Sequence, residues 1–461
     1  SSRLWLKPSC PTHVVHLSAA ITMSKAKSRA AVVLSHLNPY IAEEDTSTSG
    51  SQLIPCQASG KYVGFGLSLG ALGLSVLYQM SPATRIRSKD YFDPHSSRYK
   101  AMRSKFFPPG FPNGWHCVCN ITDLENGRVK SISALGTQMV AFRGDDGKVG
   151  VVDAFCPHMG AHLGCGTVVG NTLRCPFHAW RFDADGKCTD IPYRKSTREL
   201  PEDVNLQAYT VRVILERVFV WFDAEGRPPQ WELECHKQVE AGLEDGSFYL
   251  ADMRTNEFGM HCSEMALNSA DPYHFQTLHA PFPLPVLSRF VTGEHVIDQA
   301  YGTGDVNGEM VEKPELALFT EKTKGLHFFG NPKLPVPLSS TASATVDTRV
   351  TFEGPTIIHF TMKTPFGMLR QIKTLLPIEP FKQFVEIRWY AERTVPRLLV
   401  LFIASIGANA LDQDRPVWET KIWRKNPKLV ANDGPFLDFF QWYDQFYSKS
   451  SPDVGRHTLE W

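Results

Sequence analysis

The chain has 461 residues with 48 Lys and Arg against 48 Asp and Glu, so its formal net charge is zero at pH 7, which argues against nucleic acid as a partner. Hydrophobic residues make up 43% of the chain and aromatic residues 11%, a composition that excludes a disordered or fibrous protein and allows two or three domains with buried cores. The 10 cysteines are too sparse for a disulfide scaffold and favour a reducing compartment in which a few of them bind metal.

The N-terminal part contains a candidate membrane anchor. Residues 1–60 show no sustained hydrophobic period, and we expect them to be poorly ordered. Residues 62–80 contain no charged side chain, and a helix of this length is about 28 Å long, enough to cross a thin bilayer. The alternative is a buried helix of a soluble core, but the glycines of this run would weaken such a helix in water. Basic residues follow the run, whereas 41–60 contain neither Lys nor Arg, which predicts a cytosolic C-terminal part.

The remainder of the chain has the pattern of two domains. Residues 110–225 form short alternating runs separated by turn signals such as Asp145-Asp146-Gly147, which predicts a small antiparallel β domain. Residues 226–461 combine a helical stretch near 260–280 with long strands and a final aromatic-rich helix, which predicts an α+β domain. The strands are expected at 344–354, 356–364 and 384–392.

Two Cys–His pairs stand in the predicted β domain. They are Cys156-Pro-His158 and Cys175-Pro-Phe-His178, so each short loop offers one thiolate and one imidazole. A structural zinc finger normally pairs Cys with Cys and His with His along the chain, and the interleaved order argues against it. A Rieske [2Fe–2S] cluster uses two Cys on one iron and two His on the other, which this order fits. We therefore predict that these four residues hold such a cluster, whereas His162 and Cys165 match neither ligand position and are interpreted as loop residues.

The predicted cluster would take electrons from a carrier and pass them on, because neutral imidazole ligands raise its potential above that of an all-Cys cluster. Glycine runs such as Gly302-x-Gly304 do not form the six-residue fingerprint of a dinucleotide site. We therefore expect the electrons to come from NAD(P)H through a separate reductase or ferredoxin.

A second candidate metal site lies in LNSADPYHFQTLH (267–279), which contains Asp271, His274 and His279. Two His and a later carboxylate would supply the facial triad of a non-haem Fe(II) site, whose open positions bind dioxygen. Residues five apart on an ideal helix are about 140° out of phase, so both His reach one metal only if the helix is bulged or ends between them. The alternative is a pair of helix-face histidines, with Asp271 as the N-cap.

These motifs carry a family resemblance that covers about residues 90–461. The chain resembles the Rieske-type non-haem iron oxygenases, and most closely the membrane-anchored Neverland-type cholesterol 7-desaturases, with the bacterial 3-ketosteroid 9α-hydroxylases as soluble relatives. The resemblance implies a helix-grip fold for the α+β catalytic domain and a mononuclear iron within it. It is carried by LGTQMVAFRGDDGKVGVVDAFCPHMGAHLG, CPFHAWRF, NSADPYHFQTLH and DGPFLDFFQWYDQFY.

The resemblance also assigns roles to single residues. It implies that Asp271 bridges the Rieske domain of one subunit to the catalytic iron of the next, in a ring-shaped homotrimer. It implies that the third iron ligand, with His274 and His279, is Asp414 of the Gln-Asp-x-x-hydrophobic-Trp segment, with Asp412 as the rival. Leu267 departs from the family pattern, in which an acidic residue is common at that place.

The function that the resemblance implies is the conversion of cholesterol to 7-dehydrocholesterol with O2, a step towards steroid hormones, in the membrane of the endoplasmic reticulum. The first alternative is the hydroxylation of a 3-ketosteroid. The second is a protein of another class, an electron-transfer or sterol-binding Rieske protein without oxygenase activity.

Apolar residues expected either to line a sterol pocket or to fill the sheet core are Phe352, Ile357, Phe360, Phe384, Trp389, Phe439 and Trp442. The run Leu398–Ile406 is expected to be a core helix or an entrance to the pocket.

Overall fold

The computed structural model describes residues 96–195, 200, 202–271, 273–274, 278–279, 291–328, 347–424, 426–431 and 433–451. The predicted N-terminal segment at 1–60 and the predicted membrane helix at 62–80 lie outside these ranges. Within them, each helix is either too short or too polar to cross a bilayer.

The first half of the described chain is an all-antiparallel β unit that follows the short helix α1 (Ser97–Ser104). Its strands form three sheets, in the orders β1-β10-β9, β2-β3-β4 and β5-β6-β7-β8. The predicted Asp145-Asp146-Gly147 turn is confirmed between β3 and β4, with Gly147 at φ +83°. The strands are β1 (Gly114–Asn120), β2 (Lys130–Ala134), β3 (Thr137–Arg143), β4 (Val149–Asp153), β5 (Thr167–Val169), β6 (Thr172–Arg174), β7 (Arg181–Phe182), β8 (Cys188–Asp190), β9 (Val211–Ile214) and β10 (Arg217–Phe222).

The second half is built on one seven-stranded antiparallel sheet with the order β11-β17-β16-β15-β14-β13-β12. A mixed α and β architecture is thus confirmed, and the three strands predicted from sequence are β14, β15 and β17. The strands are β11 (Phe248–Phe258), β12 (Val291–Val306), β13 (Glu309–Phe328), β14 (Asp347–Glu353), β15 (Ile357–Thr364), β16 (Gly367–Glu379) and β17 (Lys382–Glu392). The helices are α2 (Lys237–Glu244), α3 (Ser263–Ser269), α4 (Arg397–Thr420) and α5 (Phe436–Asp444).

Helix α4 covers the end of the sheet formed by β11 and β17, and its buried stripe joins the core of this half. Its C-terminal carbonyl groups are held by Arg103 of α1, a residue that is almost completely buried. The Arg103 guanidinium donates to the carbonyl oxygens of Trp418 at 2.7 Å, Glu419 at 3.1 Å and Lys421 at 2.9 Å. A cation is favourable at this end of a helix because the last carbonyls have no partner within the helix.

Buried polar contacts tie the two halves together. Arg388 of β17 donates to the Leu215 carbonyl at 2.8 Å and to the Asn120 side chain at 2.5 Å, and it pairs with Glu386 at 2.8 Å. Thr356 donates its hydroxyl to the Trp115 carbonyl at 3.0 Å. A buried charge is tolerated only when it is paired and hydrogen-bonded, so these contacts fix how the halves meet.

Candidate metal centres and substrate pocket

The four predicted cluster ligands lie on two turns with the same hydrogen-bond pattern. The Gly160 N–H donates to the Cys156 carbonyl at 2.9 Å, and the Ala179 N–H donates to the Cys175 carbonyl at 3.2 Å. The fifth residue of each turn is left-handed, with φ +70° at Gly160 and +59° at Ala179. This conformation reverses the chain within five residues, so each cysteine and the histidine that follows it share one loop.

The side chains of these turns fit a two-iron cluster. Cys156 and Cys175 are each only 2% exposed, and burial, with the neighbouring Cys175 thiol, raises the pKa of Cys156 to about 11. Bound metal is what would keep such buried thiols ionised. The rings of His158 and His178 lie 4.6 Å apart, and the buried Nδ1 of His158 has no hydrogen-bond partner among the described residues. An orphaned nitrogen beside two thiols and a second imidazole suits a [2Fe–2S] site with two Cys and two His ligands.

The neighbours of the cluster ligands orient them. Trp180 stacks on the His158 ring at 4.6 Å with an interplanar angle of 8°, and its indole N–H donates to the Tyr193 hydroxyl at 2.8 Å. The Nδ1 atom of His162 accepts from the Gly164 N–H at 3.1 Å, while Cys165 is exposed. His162 and Cys165 are therefore loop residues, as the sequence predicted. Trp180 orients the His158 ring, a role that the ligand spacing did not reveal.

The second predicted site brings His274, His279 and Asp414 together. Their candidate ligand atoms all lie within 4.8 Å of one another, and the His279 Nε2 atom is 3.3 Å from the Asp414 Oδ1 atom. Two ligand atoms at right angles on a metal, each about 2.1 Å from it, are about 3 Å apart. Asp414 is 4% exposed, and its buried Oδ1 atom accepts no hydrogen bond of good geometry from the described residues, although His279 is near. A buried carboxylate oxygen in this state is what a metal site would leave when the metal is removed.

Hydrogen bonds at Nδ1 orient both histidine rings. The His279 Nδ1–H donates to the Gln413 Oε1 atom at 2.9 Å, and the His274 Nδ1–H donates to the Asp271 carbonyl at 2.5 Å. Each bond fixes the tautomer in which Nε2 carries a lone pair. Burial lowers the pKa of His274, which favours the neutral ring that a metal requires. At His279 burial also lowers the pKa, but the Asp414 carboxylate outweighs it and the net shift is upward.

On helix α4, Asp414 and not Asp412 lies beside the two histidines. Asp414 lies beside His279, whereas the exposed Asp412 forms an ion pair with Arg415 at 3.6 Å. The two positions are about 200° apart on a helix, so only one of them faces the sheet. Asp414 therefore has the position that the sequence assigned to the third ligand.

Asp271 caps the segment that carries His274. Its Oδ1 atom accepts from the backbone N–H groups of Tyr273 and His274, both at 3.1 Å, and this carboxylate is partly exposed. The capping function expected from the sequence is present, while the bridge to a second subunit stays a prediction. Leu267 lies on α3 and packs in the core of the second half of the molecule. The acidic residue that is fully buried on α3 is Glu264, and its Oε2 atom lies 2.6 Å from the Lys421 ammonium.

A cavity of about 300 Å³ opens next to the His274, His279 and Asp414 cluster. Its walls come from α3, from strands β14 to β17 and from α4. Ile403 and Ile406 line it, so the Leu398–Ile406 run is one wall of the pocket within a longer helix. The lining residues are Met265, Asn268, Ser269, His274, His279, Phe352, Ile358, Phe360, Met362, Gln371, Lys373, Trp389, Ile403, Ile406, Gly407, Ala410, Leu411, Asp414 and Trp418.

Only part of the apolar set named from the sequence reaches this cavity. Phe352, Phe360 and Trp389 line it. Ile357 faces the opposite side of the sheet, where it packs in the core that contains Trp115 of the β unit. The remaining three residues are core rather than pocket, since Phe384 packs against the β2–β4 core and Phe439 and Trp442 pack within α5 and against the sheet.

A third group of possible metal ligands is present in the described chain, namely Cys235, Glu353 and His359, all buried. Both oxygens of Glu353 already accept hydrogen bonds, Oε1 from the Glu234 and Cys235 N–H groups and Oε2 from the His359 ring at 3.0 Å. Burial also raises the pKa of the Cys235 thiol, which disfavours the thiolate that a metal needs. This group is a closed hydrogen-bond network.

Comparison with known proteins identifies both domains. Residues 114–209 match the Rieske [2Fe-2S] domain family, and residues 220–447 match the 3-ketosteroid 9alpha-hydroxylase C-terminal domain family. A cholesterol 7-desaturase of Ciona intestinalis is 31% identical over 83% of this chain and 77% of its own length. A probable 3-ketosteroid-9-alpha-monooxygenase, oxygenase component, of Rhodococcus rhodochrous is 28% identical over 74% of this chain and 81% of its own length. The crystal structure of dicamba monooxygenase bound to dicamba shares the fold, with a TM-score of 0.54 at 16% identity over 74% of this chain and 98% of that one.

Proposed function

Because this chain belongs to the cholesterol 7-desaturase family of Rieske-type non-haem iron oxygenases, we propose that it removes hydrogen from C7 and C8 of cholesterol to give 7-dehydrocholesterol. The family membership that the sequence motifs suggested is thereby confirmed. The reaction consumes O2 and electrons that a separate reductase or ferredoxin draws from NAD(P)H.

One observation carries the proposal, namely that a buried His274–His279–Asp414 cluster opens on an apolar cavity in a chain that also has a Rieske ligand set. An electron-transfer Rieske protein would have no use for the second cluster or the cavity. A cavity lined by Phe352, Phe360 and Trp389 suits the carbon skeleton of a sterol.

The chemistry divides between the two centres and the protein. Cys156, His158, Cys175 and His178 would hold the [2Fe–2S] cluster, and His274, His279 and Asp414 would hold the Fe(II). Together these groups would supply single electrons and the activation of dioxygen that removal of hydrogen from a saturated carbon requires. The protein holds His279 through Gln413 and His274 through the Asp271 carbonyl, so the imidazoles cannot turn away. The aromatic walls exclude water and hold the sterol nucleus, and its exact placement decides which carbon reacts.

A second candidate is hydroxylation of a 3-ketosteroid at the same site, which the match of residues 220–447 to the 3-ketosteroid 9alpha-hydroxylase C-terminal domain favours. Both reactions begin with removal of hydrogen from a C–H bond. Incubation with cholesterol separates them, because the desaturation product is a conjugated diene with ultraviolet absorption and the hydroxylation product is an alcohol.

We also propose that residues 62–80 anchor the chain as a single span in the endoplasmic reticulum, with the catalytic part in the cytosol. The charge-free run and the basic residues after it support this topology. Alkaline carbonate should leave the full chain in the membrane and release a form lacking 62–80. Release of both forms would contradict the anchor.

The two iron sites can be tested separately by counting iron and acid-labile sulfide in purified protein and measuring the sterol product. His178→Ala should remove the cluster absorbance and the sulfide. His274→Ala should keep both, lose one iron per chain and produce no diene. Asp412→Ala is the matched control for Asp414→Ala and should retain all three irons. Zinc in place of the cluster, or full activity with only two irons, would refute the proposal.

Asp271 tests the homotrimer that we propose from the family. Asp271→Asn should keep the helix cap, since an amide oxygen also accepts hydrogen bonds, and should keep the iron content of both sites. It should slow reoxidation of the reduced cluster by O2 in the presence of sterol, measured by stopped-flow absorbance. Unchanged reoxidation would remove the bridge between subunits from the proposal.

A further inference from the structure

Two polar side chains enter the apolar cavity from strand β16. Gln371 and Lys373 are two residues apart, so they lie on the same face of the strand. Their cross-strand neighbours on that face are Phe360 and Trp389 for Gln371 and Ile358 for Lys373, all of which line the cavity. The polar pair is therefore surrounded by the apolar walls that would hold the sterol rings.

Lys373 is a buried cation that has no carboxylate within ion-pair distance among the described residues. It is 8% exposed, and its ammonium lies 4.5 Å from the centroid of the Phe360 ring. Burial lowers the pKa of this ammonium to about 8, and the charge of Asp414 opposes the shift only in part. A buried ammonium with an aromatic face as its main contact retains hydrogen-bond donors for a ligand.

Gln371 offers a hydrogen-bond acceptor. It is 5% exposed, and its Oε1 atom is buried with no hydrogen-bond partner among the described residues. A buried acceptor without a hydrogen bond destabilises the folded chain, so its retention calls for a donor from outside the protein. Asn268, another amide in the lining, is different, because its Oδ1 atom already accepts from the Trp418 indole at 3.1 Å.

We propose that Gln371 and Lys373 form the specificity site for the single hydroxyl group of the sterol, with the hydroxyl donating to Gln371 Oε1 and accepting from Lys373 Nζ. A hydroxyl is the group that satisfies both residues at once, because it carries one donor and two acceptor lone pairs. A ketone can accept from Lys373 and leaves the Gln371 oxygen unpaired. A 3-deoxysterol leaves both residues unpaired.

The inference rests on the proposed function, since it assumes a sterol in this cavity. Its consequence is that the polar pair binds the hydroxyl group, while the metal cluster acts on the carbon skeleton. A site built to bond a hydroxyl discriminates strongly against the analogue that lacks it, because the buried polar groups of the protein are then left unpaired. Gln371 and Lys373 are thus positioning residues that also set the substrate class.

The test measures binding without turnover, on full-length protein in detergent, under argon and without a reductase. Radiolabelled cholesterol is displaced by unlabelled cholesterol or by cholest-5-ene, which lacks the hydroxyl. Comparing the ratio of the two dissociation constants between proteins cancels the unequal partitioning of the two sterols into detergent. The wild-type protein should prefer cholesterol at least about tenfold.

Gln371→Met keeps the side-chain length and Lys373→Met shortens it by one atom, and both remove the polar group. Each should weaken cholesterol binding about tenfold and leave cholest-5-ene binding unchanged or stronger, with the three irons per chain retained. A misfolded variant would lose both sterols, so this selective loss identifies the specificity role. Lys363→Met is the matched control, since Lys363 is exposed on the neighbouring strand β15, and it should bind both sterols as the wild type does.

Three outcomes would overturn the inference. Equal loss of both sterols in Lys373→Met and Gln371→Met proteins that retain all three irons, or no loss of either sterol, would show that the pair does not bind the hydroxyl. Loss of the mononuclear iron in Lys373→Met would show that this lysine serves as a counter-ion for Asp414 instead. If the wild type converted no cholesterol and bound none, the proposed function itself would fail, and this result differs from each of the outcomes above.

Discussion

Gln413 determines which nitrogen of His279 can reach a metal. Its Oε1 atom accepts from Nδ1–H, and a leucine of similar volume at this position cannot. We predict that Gln413→Leu lowers the affinity for the mononuclear iron by about 10- to 100-fold while the cluster absorbance stays the same. Iron titration of apoprotein that retains its cluster measures this effect. Asn205, whose amide bonds a backbone N–H in the β unit, gives the matched control Asn205→Leu, which should leave this affinity unchanged.

At the residue scale, the sequence predicts ligands well where they are close together in the chain. Cys156 and His158 share one five-residue turn, and the interleaved order of this pair with Cys175 and His178 favours a Rieske site over a zinc site. The choice of Asp414 over Asp412 came from the family pattern, because their spacing on a helix does not say which side faces the sheet. The role of Lys373 was missed, since a single lysine in a strand gives no sign of its burial.

Strand β16 explains why the pocket could be predicted only in part. Nine consecutive residues, Leu369–Pro377, are buried, so both faces of this strand are covered. A strand that is buried on both faces has no alternation of polar and apolar residues from which its inner face can be recognised. The same ambiguity affects β15, where Ile357 was grouped with Phe360 although the two face opposite sides of the sheet. The register, which only the structure supplies, separates core from pocket.

Helix α4 carries a glycine at the pocket wall, and its substitution tests the cavity. A Cβ atom on Gly407 would meet the Trp389 ring at 3.7 Å, an ordinary van der Waals contact. Gly407→Ala should therefore stabilise the helix by about 0.5–1 kcal/mol, seen as a higher midpoint of thermal unfolding. Gly407→Leu should fill the cavity and abolish sterol binding while the cluster and the mononuclear iron remain. Sterol affinity that is unchanged in Gly407→Leu would place the substrate elsewhere.

For the molecule as a whole, two fully buried histidines predict sensitivity to acid. His116 bonds the Pro112 carbonyl at 2.9 Å and His261 bonds the Pro109 carbonyl at 3.0 Å. Burial lowers the pKa of each from 6.5 to about 4. The unfolded chain therefore binds more protons than the folded chain between these pH values, so stability is present above pH 6.5 and is lost as the pH falls towards 4. Each group can contribute up to about 3 kcal/mol.

The urea concentration at the midpoint of unfolding should therefore decrease when the pH is lowered from 7 to 5. The decrease should be smaller in His261→Gln, because glutamine keeps a donor for the Pro109 carbonyl and cannot titrate. In the Lys363→Met variant, whose substitution is at an exposed position, the urea midpoint should decrease as much as in the wild type. An equal fall in His261→Gln would mean that acid acts through other groups.

The contact between Arg103 and the end of α4 has a practical consequence for anyone who shortens this chain at its N-terminus. The family match begins at residue 114, which invites a cut there. Such a cut would discard α1 and leave the final carbonyls of α4 without their cation, four residues beyond the aspartate of the metal site. A truncated enzyme should therefore start before Ser96, because the smallest functional unit includes a helix that the domain boundary omits.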